Sequence, residues 1–322
     1  MKKIDIIIPT YNRANYLKIA IESVLNQSYK NYHIYILDNC STDNTTEVIE
    51  LFKSERLTYI RNKTNIGFVG NLNKALQIGS SEFFHIFHDD DILEPVFLEY
   101  VISFFNEYSD MVFVHTAAHK IDKNNKIVRK FIHDYPKYLS GKAFFEYWIK
   151  HDVAVICPSV VFRREKISGR VFYNEDTPYT ADEIFSIACS NYGGVGYINK
   201  PIIQYREHTG SLTSTLYDRY DSRLKDRYHH TKFLNEEIER RKIDVKYNYA
   251  NKYYKTSLSK DIWFMRMQGT SIINISKLLP KMVKTVPSLL FFGYFWLSIL
   301  KIFTPVFLIN YYKKSSVRKL IS

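Results

Sequence analysis

Cysteine is scarce in this chain of 322 residues: Cys40, Cys157 and Cys189 are widely spaced and form no C-x-x-C pair. Neither a disulfide framework nor a zinc site is indicated, and a reducing compartment fits best. No G-x-G-x-x-G follows the first apolar run, which argues against a dinucleotide-dependent oxidoreductase. The glycines at Gly193, Gly194 and Gly196 read instead as a helix-to-strand turn. His85, His88, His115 and His119 form no H-x-x-x-H pair on a helix and read as structural. Internal repeats and low-complexity linkers are also missing. The chain opens Met1-Lys2-Lys3 and passes directly into an apolar run, so no signal peptide is expected. After Asp261 there is no acidic residue at all.

What is present is globular. The chain is 46% hydrophobic and 24% charged, and its length suits one large domain or two smaller ones. Aromatic residues reach 16%, mostly Tyr and Phe, which suits cores, sugar-binding faces and membrane interfaces alike. Through the first half, apolar runs at 4–8, 34–37, 57–60, 83–87 and 111–115 alternate with amphipathic stretches. In one of these Leu17, Ile21, Val24 and Leu25 share a helical face. Helices are expected at 71–77, 95–108 and 182–190, and further strands at 153–162 and from Ile198 to Tyr205. Strands this apolar, separated by helices, predict an α/β fold with a mostly parallel central sheet covered on both faces. Ligands in such sheets bind beyond the carboxyl ends of the strands, where Thr10, Asp38 and residues 89–91 would converge.

The triplet Asp89-Asp90-Asp91 closes the fourth of these runs. Three adjacent carboxylates need something cationic beside them, and the nearest basic residues in sequence are as far away as Lys74 and Lys120. A hard divalent cation bound with substrate phosphates fits such oxygen ligands. An acidic turn capping the helix from about Pro95 is the alternative.

Four segments in order then resemble the family 2 glycosyltransferases. They are Pro9-Thr10-Tyr11-Asn12, the stretch 38–45 beginning Asp38-Asn39, Asn65-Ile66-Gly67-Phe68 with Asn71, and Asp89-Asp90-Asp91. The resemblance covers about residues 3–212. It implies a GT-A type fold and transfer of a sugar, with inversion, from a nucleotide diphosphate. On it, Pro9, Thr10, Tyr11, Asn12, Asn65 and Asn71 would line the donor pocket. Asp38 would accept from a pyrimidine N3–H and so favour a UDP or dTDP donor. The alternative for Asp38 is an Asx turn. Asp43 reads as a helix N-terminal charge rather than a ligand, and Cys40 as filler. Asp89 would contact the ribose or a metal-bound water, Asp90 would be an extra carboxylate, and Asp91 would ligate Mn2+ or Mg2+. Asp182 would be the base, with Glu183 behind it. Arg206 would pair with a phosphate, and His208 would add a metal or phosphate ligand. Trp148, Trp263 and Trp296 read as packing or interface anchors rather than sugar platforms.

The resemblance does not extend to residues 213–322. Residues 210–322 carry 21 Lys and Arg against 8 Asp and Glu, whereas the rest is about neutral and the whole chain is +12. An apolar run at 286–312, broken by Lys301 and Pro305, is flanked by these basic residues. That pattern suits an anionic membrane surface rather than nucleic acid. A buried helix pair or an oligomer interface is the alternative. The sequence therefore predicts a catalytic domain at 1–215 and a helical region at 216–322 with a membrane-associating segment at about 286–319. The expected protein is a metal-dependent enzyme, peripheral on the cytoplasmic face of the cell membrane, with a saccharide or lipid-linked saccharide acceptor. A metal-dependent phosphohydrolase or glycosidase, or a non-catalytic scaffold of the same fold, are the rivals, and nucleotide binding separates them.

Overall fold

Isoleucines fill the first strand, β1 (Ile4–Thr10), and Ile4, Ile6, Ile7 and Ile8 are all completely buried. A strand apolar on both faces is stable only inside a sheet with layers on either side. The computed structural model describes residues 2–52, 54–151, 155–208, 220–245, 255–256, 272–285 and 293–303. It divides into two compact units, Met1–Thr209 and Gly210–Ser322, a division six residues before the expected boundary.

In the first unit β1 is followed by α1 (Ala14–Leu25), β2 (Tyr32–Asp38), α2 (Thr45–Glu50), β3 (Leu57–Arg61), α3 (Phe68–Ala75) and β4 (Phe83–Ile86). Next come β5 (Ile92–Leu93), α4 (Phe97–Glu107), β6 (Met111–Ile121), β7 (Ile127–Phe131), β8 (Tyr138–Leu139) and α5 (Gly141–His151). After a 3-10 turn at Cys157–Ser159, β9 (Val161–Arg163), α6 (Arg164–Ile167), α7 (Ala181–Cys189) and β10 (Gly194–Arg206) complete it. The strands of the described residues form one sheet in the order β3-β2-β1-β4-β9-β6-β10-β5, with β7 beside β6 and β8 beside β10. β3, β2, β1 and β4 run parallel, as do β6 and β10. The chain leaves β1 toward β2 on one side and returns to β4 on the other. That reversal opens a crevice at the carboxyl ends of β1 and β4.

On one sheet face Leu17, Ile21 and Val24 of α1 join Ile6, Ile8, Ile34 and Phe97. On the other, Leu72, Phe144 and Phe185 join Ile7, Leu37 and Phe113. Full burial of each such side chain contributes about 2 kcal/mol, so the crevice stands on a rigid base.

Two expectations are corrected. The strand expected at 153–162 begins only at Val161. Before it Pro158, which has no N–H to give to a ladder, sits in the 3-10 turn. Residues 152–154 lie outside the described residues. The glycines at Gly194 and Gly196 are not a turn but the start of β10. A Cβ on Gly194 would stand 2.4 Å from the Tyr138 ring, and one on Gly196 2.6 Å from Met111 Sδ and from the Phe104 ring. These glycines serve close packing.

In the second unit the described helices are α8 (Tyr220–Arg241), α9 (Ile272–Thr285) and α10 (Gly293–Ile302). Glu237 pairs with Arg240 and Arg241 in α8. In α10 Phe295 and Ser298 are buried, but Trp296, Leu297 and Leu300 are exposed, as is Phe303 just beyond it. No helix of the described residues is long and apolar enough to cross a membrane. The expectations placed on Trp263, on 286–292 and on 304–319 lie outside the described residues, as do the Thr209-Gly210-Ser211 end of the loop after β10 and the proposed boundary at 215.

Candidate active site

Parallel pairing sets Thr10 beside Asp38 at the ends of β1 and β2, and β4 delivers the aspartate triplet next to them. Thr10 Oγ1 donates to Asp89 Oδ2 at 2.7 Å. Arg13 Nη1 donates to Asp89 Oδ1 and to Asp90 Oδ2, both at 2.9 Å. Arg206 donates its backbone N–H to Asp91 Oδ1 at 2.7 Å and its Nε–H to the Asp90 carbonyl at 2.6 Å. His208 Nε2 lies 3.1 Å from Asp90 Oδ2, and its ring packs on Tyr16 with centroids 4.7 Å apart. The triplet therefore does have protein cations, contrary to the expectation from sequence neighbours. Arg13 arrives from 76 residues away because β1 and β4 are adjacent.

Three buried carboxylates still outnumber the two guanidiniums. Burial, together with Asp90 and Asp89, pushes the Asp91 carboxyl well above the ordinary carboxylate range. Burial raises Asp89 as well, against the pull of Arg13. Burial acts on Asp90 in the same sense, yet His208, Arg13 and His88 outweigh it and hold Asp90 low. Asp91 is 1% exposed, and its Oδ2 has no hydrogen-bond partner. The nearest group is His88 Nδ1 at 3.7 Å. His88, Asp90 and Asp91 each offer a ligand atom within 4.8 Å of the others. A buried, orphaned carboxylate oxygen beside an imidazole and a second carboxylate fits a divalent cation of the Mg2+ or Mn2+ kind.

The loops after β1 and β2 are tied together. Asn12, at φ +54, donates its N–H to Ser41 Oγ and accepts the Thr42 N–H on Oδ1. Asp43 accepts from the Ala14 N–H at the start of α1 and from Thr45 at the start of α2. Burial alone would raise the Asp43 carboxyl, but these hydrogen bonds hold it low. Pro9 is partly buried, while the Tyr11 ring is 43% exposed at the rim.

Asp38 is placed differently from the donor-pocket reading. It is completely buried and accepts from the Ser41 N–H, the Tyr59 hydroxyl and Arg61 Nη1. Both oxygens are thus engaged in closing the turn after β2. Asn65 and Asn71 also bond within the protein. Asn65 Oδ1 accepts from Asn39 and from the Gly67 N–H. Asn71 is buried between Asn62 and the Leu37 carbonyl. Arg206, read as a phosphate partner, is 2% exposed and bonds to the Asp90 and Asp122 carbonyls behind the triplet.

Asp182 and Glu183 occupy the first turn of α7. Asp182 comes within 4.8 Å of both His88 and Cys157 by ligand atoms, so it faces the same crevice as the triplet. Arg13 was not singled out from the sequence, whereas His88 was read as structural and Cys157 as an isolated cysteine; the fold brings all three to the crevice. Arg13 had one visible signal, its position one turn-residue past Asn12 at the end of β1. His85 and His115 are structural as expected: burial lowers them to about 4 and about 3, respectively. Trp148 is buried against Phe145.

Comparison with known proteins agrees with this geometry. A relative from Escherichia coli, described as "UDP-Glc:alpha-D-GlcNAc-diphosphoundecaprenol beta-1,3-glucosyltransferase WfaP", is 27% identical over 217 residues. The match covers 66% of this chain and 81% of that protein. Among solved structures, S. aureus TarS 1-349 in complex with UDP-GlcNAc has a TM-score of 0.59 at 16% identity, covering 94% of this chain and 89% of that one. A mannosyltransferase from Pyrobaculum calidifontis in complex with GDP-Man and Mn2+ has a TM-score of 0.52 at 14% identity, covering 94% and 87%. The fold is thus that of the GT-A glycosyltransferases. The model of the glycosyl transferase family 2 matches residues 5–172, more than half of the chain, and the protein belongs to that family as a glycosyltransferase enzyme.

Proposed function

We propose that this glycosyltransferase moves a sugar, with inversion, from a nucleotide diphosphate donor, UDP favoured, to a glycan or lipid-linked glycan acceptor. One observation carries the reading: the buried, unpartnered Oδ2 of Asp91 at the crevice between β1 and β4. Asp91, with Asp90, His88 and His208 around it, would hold Mn2+ or Mg2+. Such a cation offsets the negative charge that grows on a departing diphosphate. Arg13 keeps Asp89 and Asp90 aligned, and the exposed Tyr11 ring offers a face for a nucleobase. Asp182 takes the proton of the acceptor hydroxyl as its oxygen attacks the anomeric carbon and the carbon–oxygen bond to the diphosphate breaks. The pyrimidine preference rests on resemblance and on the UDP named for the TarS complex, since Asp38 is engaged elsewhere. The lipid-linked acceptor is supported by the name of the WfaP relative and by the exposed Trp296, Leu297 and Leu300 of α10. These, with the basic C-terminal third, suit a peripheral place on an anionic membrane, the cytoplasmic face being the expected side.

Calorimetric titration with UDP, with and without Mn2+, tests this on the wild type and an Asp91→Asn variant. We expect metal-dependent binding that the variant loses at least tenfold. Binding of GDP, CDP or dTDP in place of UDP would retain the transferase and change the donor. No binding by any nucleotide would sink the reading.

A further inference from the structure

Isolated cysteines offer no reason to expect a soft metal. The fold changes that by carrying Cys157, in the 3-10 turn before β9, to the end of β4. Cys157 Sγ lies 3.7 Å from His88 Nε2, within hydrogen-bonding reach of Asp182. His88, Cys157 and Asp182 each present a ligand atom, all within 4.8 Å of one another. Oδ1 of Asp182 is buried without a hydrogen-bond partner.

The imidazole of His88 stands between two different environments. Its Nδ1 faces the orphaned Oδ2 of Asp91, and its Nε2 faces the sulfur. A carboxylate that closes on one ring nitrogen fixes the tautomer and leaves the other nitrogen's lone pair for a metal, the arrangement behind most histidine–zinc bonds; here that gap is 3.7 Å. One thiolate, one imidazole and one carboxylate, with a fourth position open, make a tetrahedral donor set for zinc-class ions. Mg2+ and Mn2+ prefer the carboxylates of Asp90 and Asp91 on the other side of the ring.

We propose that His88, Cys157 and Asp182 form a second cation site, selective for a thiophilic divalent ion, beside the aspartate triplet. Cys157 keeps some contact with solvent by area, but the protein packed around its sulfur, together with Asp182, pushes the thiol up. A bound cation would displace the thiol proton to solvent. An ion there occupies the carboxylate of Asp182. If Asp182 is the base, as the proposed function holds, zinc-class ions inhibit transfer while hard cations support it.

Cobalt(II) titration of the full-length chain tests binding without any assay of transfer. The expected result is an intense near-ultraviolet thiolate-to-cobalt band, with visible bands of tetrahedral intensity, that saturates at one equivalent in addition to any cobalt taken by the aspartate triplet. The band should vanish in Cys157→Ser and in His88→Gln, and persist in Cys40→Ser. Circular dichroism of each variant checks that it is folded, and the second variant guards against misfolding of the first. A wild type without the band, or a band that survives in folded Cys157→Ser, would overturn the site. Transfer rates with and without stoichiometric Zn2+ form the second arm, where the ratio should fall at least tenfold in the wild type and stay near one in Cys157→Ser. Cobalt bound at Cys157 with zinc-insensitive transfer would keep the metal site and remove Asp182 as the base.

Discussion

Arg13 sets the electrostatics of the crevice from a position that sequence proximity hides. It bridges Asp89 and Asp90 with a side chain that is 24% exposed. Removing one partner of a largely buried ion pair leaves the other charges uncompensated, at a cost of about 3 kcal/mol. Arg13→Ala should therefore lower the thermal midpoint, and Mn2+ should restore more of it in the variant than in the wild type. Equal Mn2+ shifts in both would separate Arg13 from the cation. A second residue-scale effect belongs to His85, fully buried with Nε2 2.8 Å from the Pro158 carbonyl. Burial lowers it from 6.5 to about 4, so the folded state holds it neutral where the unfolded chain takes up a proton. Its contribution is complete above pH 6.5 and is lost as pH falls toward 4, about 3 kcal/mol in all. Unfolding free energies from urea titration at pH 7 and pH 4 should differ less in His85→Asn than in the wild type by that amount.

At the scale of elements, the packing of β10 against β8 and β6 depends on missing side chains. Gly194→Ala would drive a methyl into the Tyr138 ring. Overpacking of this kind costs about 1–3 kcal/mol, and denaturant unfolding should register it with an unchanged slope. A midpoint equal to the wild type would mean that the β8 ribbon yields freely. These positions also mark where the sequence stopped being legible. Periodicity located β1, α1, β2 and β4 because their apolar patterns are local. The reach of β10 back to Gly194 was hidden because glycines there answer to Tyr138, Met111 and Phe104, all distant in sequence. The aspartate triplet was legible as a site candidate from charge and position, and Asp182 through the family resemblance. The internal bonds of Asn65, Asn71 and Asp38 were not legible, because a polar side chain in a loop, a helix or a strand end reads alike in sequence whether it meets a ligand or its own loop. Arg13, His88 and Cys157 depend on which strands are neighbours, and only the topology supplies that.

For the whole molecule, charge and apolar exposure are distributed unequally. The first 209 residues are about neutral, while residues 210–322 carry the net positive charge, and α10 exposes Trp296, Leu297 and Leu300. Co-sedimentation of the full-length chain with vesicles should require anionic lipid, weaken with salt and fall in a Trp296→Ala, Leu300→Ala double variant. Recovery in the supernatant with both neutral and anionic vesicles would remove the membrane from the proposal. The crevice itself has another property at this scale. Because Asp43 holds the beginnings of α1 and α2, and Asn12 clasps the Ser41–Thr42 turn, the two loops beside the triplet are one clamped frame. Whatever molecule enters between them meets a receptor whose ordering entropy was settled during folding, so discrimination there falls to fit and charge rather than to loop closure.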